Sequence, residues 1–304
     1  MAFKKIYIGA ICNRDLELLD KIKSFSKINY NIEIINLLKK EKKVFKIKSF
    51  KKKLKKYSIS FLIVKLLSGE SNEVIYNALK IHSPHIPVLN SLKSVQLCES
   101  RRDTFQLIEK RHKTLHIPKT YYSAKDANDA CAKGTKIIIK FDVHNAPHLA
   151  KRDRIIGIAK SPKEFKELTK NFKEEHLFFQ EFLGDFDTFY KTYVINRWVG
   201  TITSQTKIQQ ELNLTPVELV HIRVPTSQEF KNELLKLGRI FRMQIFGVDY
   251  ILKNGIPYIV DVNDFPGFKH SPEAVSLISN YIYHLLITQQ KFQEILINEK
   301  LKQV

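Results

Sequence analysis

Apolar residues recur along this chain with two spacings, and the alternation between them divides it. Residues 4–11, KKIYIGAI, read as a strand, and residues 15–27 carry apolar positions at helical spacing. YNIEIINL reads as a second strand and ISFLIVKLL (59–67) as a strong third. SNEVIYNALKIHS reads as a helix opened by Ser71 or Asn72 as N-cap. PHIPVLNS holds a strand between turn signals, and SLKSVQLCESRRDTFQLIEKRH reads as one or two helices. This strand–helix alternation predicts a small α/β unit up to about residue 90. The middle predicts strands instead, at TLHIPKTYY, TKIIIKFDV (135–143), HLFFQEFLG (176–184) and FYKTYVINRWVGTITSQT (189–206). They are joined by the polar loop HNAPHLAKRDR and by a helix opening at Ser161-Pro162, where proline suits the first helical position. A helix at 227–246, a hairpin and a helical run from about residue 272 complete the chain.

The hairpin carries the first chemistry. Val248–Leu252 and Ile256–Asn263 flank Lys253-Asn254-Gly255. A two-residue loop at Asn254-Gly255 places Asp249 on the face opposite Asp261 and Asn263. A three-residue loop pairs Leu252 with Ile256, Tyr250 with Tyr258 and Val248 with Val260, and gathers Asp249, Asp261 and Asn263 on one face. The three-residue loop is the consistent choice. Three oxygen-bearing side chains on adjacent strands suit a hard cation such as Mg²⁺ shared with phosphate oxygens. A solvated strand end is the plainer alternative.

Composition narrows the partners. The 304 residues suffice for two or three packed units, and their formal charge is +20. Lysines crowd residues 39–56, KKEKKVFKIKSFKKKLKK. A solvated face is the bland reading of that run, and an anionic surface contact is the sharper one. Cys12, Cys98 and Cys131 are scattered and odd in number, which fits a reducing compartment and neither a disulfide framework nor a zinc site. With no signal peptide, transmembrane run or internal repeat in view, a cytoplasmic protein is expected. No apolar surface helix stands out, so a monomer is expected.

Several stretches, in order, carry a resemblance: LIVKLL with Lys65; VLNSLKSVQLCESRRDTFQLI; IIIK with Lys140, followed by His144; FFQEF with TFYKTYVI; and GVDY with VDVNDFPGFKH. Together they resemble the ATP-grasp superfamily and, within it, the inositol 1,3,4-trisphosphate 5/6-kinases. The resemblance runs from about Ile59 to Glu273 and more loosely over the N-terminal strands.

The resemblance implies an α/β and α+β protein, an ATP-grasp fold with an N-terminal α/β domain. That domain, residues 1–95, contributes to acceptor binding. A central subdomain spans 96–185 with Lys140, and a C-terminal subdomain spans 186–304 with the metal-binding hairpin. It implies ATP and Mg²⁺ as cofactors and an inositol phosphate as the partner, phosphorylated on a hydroxyl. Lys140 and Arg101 face nucleotide phosphates, with Arg102 as a substitute. Gln180, Glu181 and Phe182 link the two subdomains and offer their backbone to the adenine edge. Lys65, His144 and Lys191 hold acceptor phosphates, and His144 and Lys191 are the catalytic candidates. His148 is a further acceptor contact, Gly267 brings backbone close to substrate, and Lys269 and His270 add charge. Asp249, Asp261 and Asn263 hold Mg²⁺. Asp264 is considered as a base and not adopted. The loop HNAPHLAKRDR lacks the kinases' glycine after the histidine and holds His148, Lys151, Arg152 and Arg154 instead.

The rival within the superfamily is a carboxylate–amine ligase that adds an amino acid to a peptide or small acid through an acyl phosphate. Those ligases carry Glu-x-Asn where this chain has Asp261-Val262-Asn263, and an arginine where it has Lys191. Both details favour the kinase. A nucleic-acid or membrane-binding protein on a decayed scaffold is the third reading. The set Lys140, Asp249, Asp261 and Asn263 argues against decay.

Overall fold

The computed structural model describes residues 5–38, 45–68, 72–143, 154–184, 188–204 and 221–301, with side chains described as far as residue 288. By packing, the chain forms two units. One comprises Met1–Leu66, Ser71–Leu92 and Gly267–Val304, the other Leu67–Glu70 and Lys93–Pro266.

The first unit is built on a parallel sheet. Its strands β1 (Ile6–Cys12), β2 (Ile32–Asn36), β3 (Ile59–Lys65) and β4 (Val88–Leu89) lie in the order β2-β1-β3-β4. Parallel strands need crossovers. Helices α1 (Leu16–Tyr30), α2 (Ile47–Lys56) and α3 (Asn72–His82) supply them. Ile8, Ala10, Ile11 and Leu62 through Val64 are fully buried, as strands of a covered parallel sheet must be. The chain returns to this unit as α9 (Ala274–Leu301), which packs on α1, with Tyr283 stacked on Tyr30 at 4.4 Å between ring centroids.

The described part of the basic run contains helix α2. Phe50 alone of α2 is buried, while Lys53 reaches the carbonyls of Asn36 and Leu38 at 2.8 and 3.4 Å. One anchor and one lysine tie the helix down, and the lysines around it face solvent.

The second unit holds two antiparallel sheets. In the smaller, β5 (Thr120–Tyr121), β6 (Ile137–Phe141), β7 (Ile155–Ala159) and β8 (Leu177–Glu181) run in the order β5-β8-β6-β7. Helices α6 (Ala124–Ala132) and α7 (Pro162–Thr169) cover one face, where Ala127, Cys131, Phe165 and Phe179 are buried together. Ser161 caps α7 through the Glu164 amide, with Pro162 in the first turn, as expected. Helix α6 and strand β7 were not foreseen. A Ser123-x-x-Asp126 cap with mutual contacts marks the start of α6.

The larger sheet contains β9 (Phe189–Ile195), β10 (Trp198–Ser204), β11 (Arg223–Val224), β12 (Ile245–Lys253) and β13 (Ile256–Asp264), in the order β11-β10-β9-β12-β13. Within residues 189–206 the chain turns back at Asn196, whose φ of 54° lies in the left-handed region. The helix expected over 227–246 is α8 (Gln228–Phe241). It stops at Arg242, also left-handed, and Ile245 already belongs to β12. Helices α4 (Leu92–Leu97) and α5 (Arg101–Arg111) precede both sheets. The core unites Phe105 and Ile108 of α5 with Leu234, Leu237 and Phe241 of α8 and Phe246, Val248 and Val262 of the hairpin. Phe105 also meets Phe178 of β8 at 5.3 Å, a contact of about 0.5–1.5 kcal/mol beyond area burial. Helix α5 is thereby fixed to both sheets. Among the described residues no helix is long and apolar enough to cross a membrane.

Candidate functional site

Asn254 and Gly255 have φ of 53° and 77°, so the hairpin closes with a two-residue turn. Lys253 pairs with Ile256 and Tyr250 with Ile259. This corrects the three-residue loop. Continued without a break, that register would send Asp249 and Asp261 to opposite faces. It breaks between Asp249 and Tyr250, where Val260 is an extra residue in β13. Beyond this bulge Asp249 stands opposite Asp261, Val248 opposite Val262 and Gly247 opposite Asn263. The three oxygen donors share one face, as expected, through a different device. Gly247 leaves that strand close to Pro266; a Cβ there would lie 3.1 Å from its ring.

Strand β9 adds a cation to the row. Lys191 pairs with Asp249 across β9 and β12, and its Nζ donates to Asp249 Oδ2 at 2.7 Å. Burial pulls the Lys191 pKa down, but the carboxylates of Asp249 and then Asp261 pull harder, and it ends above the usual lysine value. Arg101, the first residue of α5 and almost fully buried, closes the other side. One guanidinium nitrogen donates to the carbonyls of Phe141 and Val143 at 2.6 and 3.2 Å. The other lies 3.4 Å from Asp261 Oδ2. Arg101 thus ties the end of β6 to the acidic hairpin.

Lys140 reaches the same place from β6. Its buried ammonium donates to Gln180 Oε1 at 2.9 Å and to the Val260 carbonyl at 3.2 Å. Lys140, Lys191, Arg101, Asp249 and Asp261 are therefore brought together from both sheets and a helix start.

Other expected residues take different places. Gln180 is fully buried, and its side chain orients Lys140. The amides of Glu181 and Phe182 donate to the carbonyls of Lys119 and Lys136 at 2.8 Å, so these two N–H groups are spent within the protein. Arg102 donates to the carbonyls of Glu174 and Leu177. Asp264 is buried, one strand step out of phase with Asp261 and Asn263. In the first unit, Lys65 is buried with Nζ 3.0 Å from Asp15 Oδ2, and burial, then Arg14, pulls its pKa down to about 8. Gly267 lets the backbone approach the same carboxylate, since a Cβ there would lie 3.0 Å from Asp15 Oδ1. Lys269 and His270 are exposed. His144, His148, Lys151 and Arg152 lie outside the described residues.

Among the described residues no three His, Cys, Asp or Glu side chains are grouped to hold a metal. The hairpin face offers two carboxylates and an amide oxygen. That donor set suits Mg²⁺, which completes its shell with water and phosphate oxygens, and is too sparse for a metal held by protein alone.

No protein-family model and no curated protein sequence matches the chain. Solved structures do. D-alanine–D-alanine ligase from Bacillus anthracis, complexed with ATP, is 14% identical with a TM-score of 0.66, over 95% of this chain and 99% of that one. A RiPP-associated ATP-grasp ligase from Chryseobacterium gregarium, in complex with ADP and a leader and core peptide, is 12% identical with a TM-score of 0.64, over 94% and 97%. The ATP-grasp ligase PsnB, with a phosphomimetic variant of a minimal precursor, Mg and ADP, is 12% identical with a TM-score of 0.60, over 94% and 98%. Ligases, one in complex with a leader and core peptide and one with a precursor, stand where an inositol phosphate kinase was expected. This overturns both the kinase and its inositol phosphate partner. The sheets, the hairpin and these superpositions agree on one architecture: the chain has the ATP-grasp fold.

Proposed function

We propose that this chain is an ATP- and Mg²⁺-dependent ligase that joins a carboxylate to an amine, with an amino acid or a peptide as substrate. The observation that carries the reading is the face formed by Lys191, Asp249 and Asp261 with Lys140 beside it, on a fold whose matched structures are ligases. ATP-bound and Mg- and ADP-bound matches support the cofactors.

Lys140 is suited to neutralise phosphate oxygens, and Gln180 Oε1 and the Val260 carbonyl accept from its ammonium and orient it. Asp249, Asp261 and Asn263 would hold Mg²⁺, which when bound offsets charge on the transferred phosphoryl group. Arg101 fixes Asp261 against the end of β6. Lys191 sits at the rim of the acidic row and is placed to fix the substrate carboxylate. A carboxylate oxygen attacks the γ-phosphorus and ADP departs. An amine then attacks the acyl carbon, phosphate departs and the amine loses its proton. Positioning and charge neutralisation supply most of what phosphoryl transfer asks of a protein.

The aspartate of Asp261-Val262-Asn263 and Lys191 still depart from the usual glutamate and arginine of such ligases. Asp261 is one methylene shorter, and Arg101 meets it directly.

Incubation with ATP, Mg²⁺ and pairs drawn from amino acids and short acidic peptides tests the reading. ADP and free phosphate in equal amounts, dependent on both a carboxylate and an amine, are expected. ADP without matching phosphate would sink it, because the phosphoryl group would have stayed on the acceptor.

A further inference from the structure

The hairpin that carries Asp249 and Asp261 contains one residue more than its pairing uses. Lys253–Ile256 through Tyr250–Ile259 form a regular two-residue hairpin, and Val260 then stands without a partner on β12 before the ladder resumes at Asp249–Asp261. An unbroken ladder would set Asp249 opposite Val260 and Val248 opposite Asp261, with the acids on opposite faces. The Val260 side chain is only half-buried, whereas Ile259 and Val262 on either side are in the core. What the position contributes is therefore chiefly backbone. Its carbonyl accepts from Lys140 Nζ at 3.2 Å, and that lysine belongs to the other sheet of the unit.

We propose that Val260 is a positioning residue for nucleotide: its bulged carbonyl holds the Lys140 ammonium at the strand position next to Asp261, while bulging at Val260 keeps Asp249 opposite Asp261 in spite of the extra residue. The inference rests on the reading of this face as the nucleotide and metal site. It adds the device that joins the two halves of that site, the phosphate-facing lysine of β6 and the metal-facing carboxylates of β12 and β13. Bulges re-aim groups in just this way at the cost of one ladder position. The lysine is held from two directions, by Gln180 from the neighbouring strand and by Val260 from the opposing sheet. Two acceptors fix where an ammonium points far better than one.

Deleting Val260 tests the device. The shortened hairpin pairs without interruption and still sets Asp249 opposite Asp261, so the carboxylates stay together while the bulged carbonyl is lost. Affinity for ADP, measured by titration calorimetry, is expected to fall about tenfold, the loss typical of one hydrogen bond to a charged group. In a Lys140→Met background the same deletion should cost less than about twofold further, because both changes act through one ammonium. A deletion that binds ADP as tightly as the unaltered chain overturns the inference. So does a deletion whose loss is undiminished in Lys140→Met. If circular dichroism shows that the shortened chain does not fold, an alanine inserted between Asp249 and Tyr250 gives Val260 a partner. It removes the bulge with β13 intact and is measured in the same way. An unaltered chain with no affinity for ADP would overturn the nucleotide site itself, and the inference with it.

Discussion

Two lysines in this chain close apolar strands and end up buried, yet their surroundings differ. Lys65 follows Phe61-Leu62-Ile63-Val64 in β3, and Lys140 follows three isoleucines in β6. The ammonium of Lys65 meets the Asp15 carboxylate, with Arg14 close by, and burial leaves it inclined to lose its proton. The ammonium of Lys140 meets an amide oxygen and a main-chain carbonyl, and Asp261 is the residue after that carbonyl. A carboxylate partner offsets part of a lysine's charge, whereas a neutral oxygen only orients it. Lys65 thus lies beside an aspartate of its own unit, and Lys140 lies between the two sheets of the other unit, next to the acidic hairpin.

The largest expected effect separates the two directly. Lys140→Met should weaken ADP binding by about a hundredfold, the upper range for a charged hydrogen bond lost in a buried site. Lys65→Met should change it by less than about threefold. Equal losses from both would erase the distinction. A smaller effect is expected at the acidic row. Asp261→Asn should raise the Mg²⁺ concentration needed for half-maximal turnover by about tenfold, as removal of one charged oxygen ligand implies. An unchanged Mg²⁺ requirement would remove Asp261 from the metal site.

The smallest effect is on stability, and its sign follows from Lys65. The ordinary lysine value is 10.5 and the folded value is about 8. Below about pH 8 both states carry the proton. Between about 8 and 10.5 the unfolded chain still binds it and the folded chain has released it, so stability rises with pH across that window. The rise is at most about 3 kcal/mol. Urea unfolding at pH 7.5 and 10 should reveal it in the unaltered chain and not in Lys65→Met. The same rise in both would mean that Lys65 is not its source.

Much of the architecture was legible in the sequence because period carried it. The β1, β3, β8 and β9 runs, the Ser161-Pro162 helix start and the place, though not the length, of the Asn-Gly turn each have a local physical cause. Other features did not, helix α6 and strand β7 among them. Helix α2 was hidden because lysines fill its exposed face and a single phenylalanine anchors it. The turn at Asn196 left no proline or glycine to mark it. The bulge at Val260 has no composition of its own, since valine is as ordinary in a regular ladder as in a bulge.

The site divides in the same way. That Asp261 and Asn263 share a face was legible from their alternation, but Asp249 was joined to them through a three-residue loop that the hairpin does not have. How Asp249 gets there was not legible. Nor was the part played by Gln180 and Arg101, because a side chain's partner across two sheets leaves no trace in local sequence. The kinase expectation failed for a related reason. Asp-x-Asn and Lys191 are residue types that suit a metal and an anion. They do not say whether the group receiving phosphate is a hydroxyl or a carboxylate.

That distinction is the central claim, and isotope transfer tests it most directly. The acceptor carboxylate of a substrate pair that supports turnover is labelled with ¹⁸O, and the phosphate released is examined by mass spectrometry. The account predicts one ¹⁸O atom in each phosphate released, carried there when the acyl phosphate forms and collapses. Phosphate free of label, with turnover continuing, would contradict it.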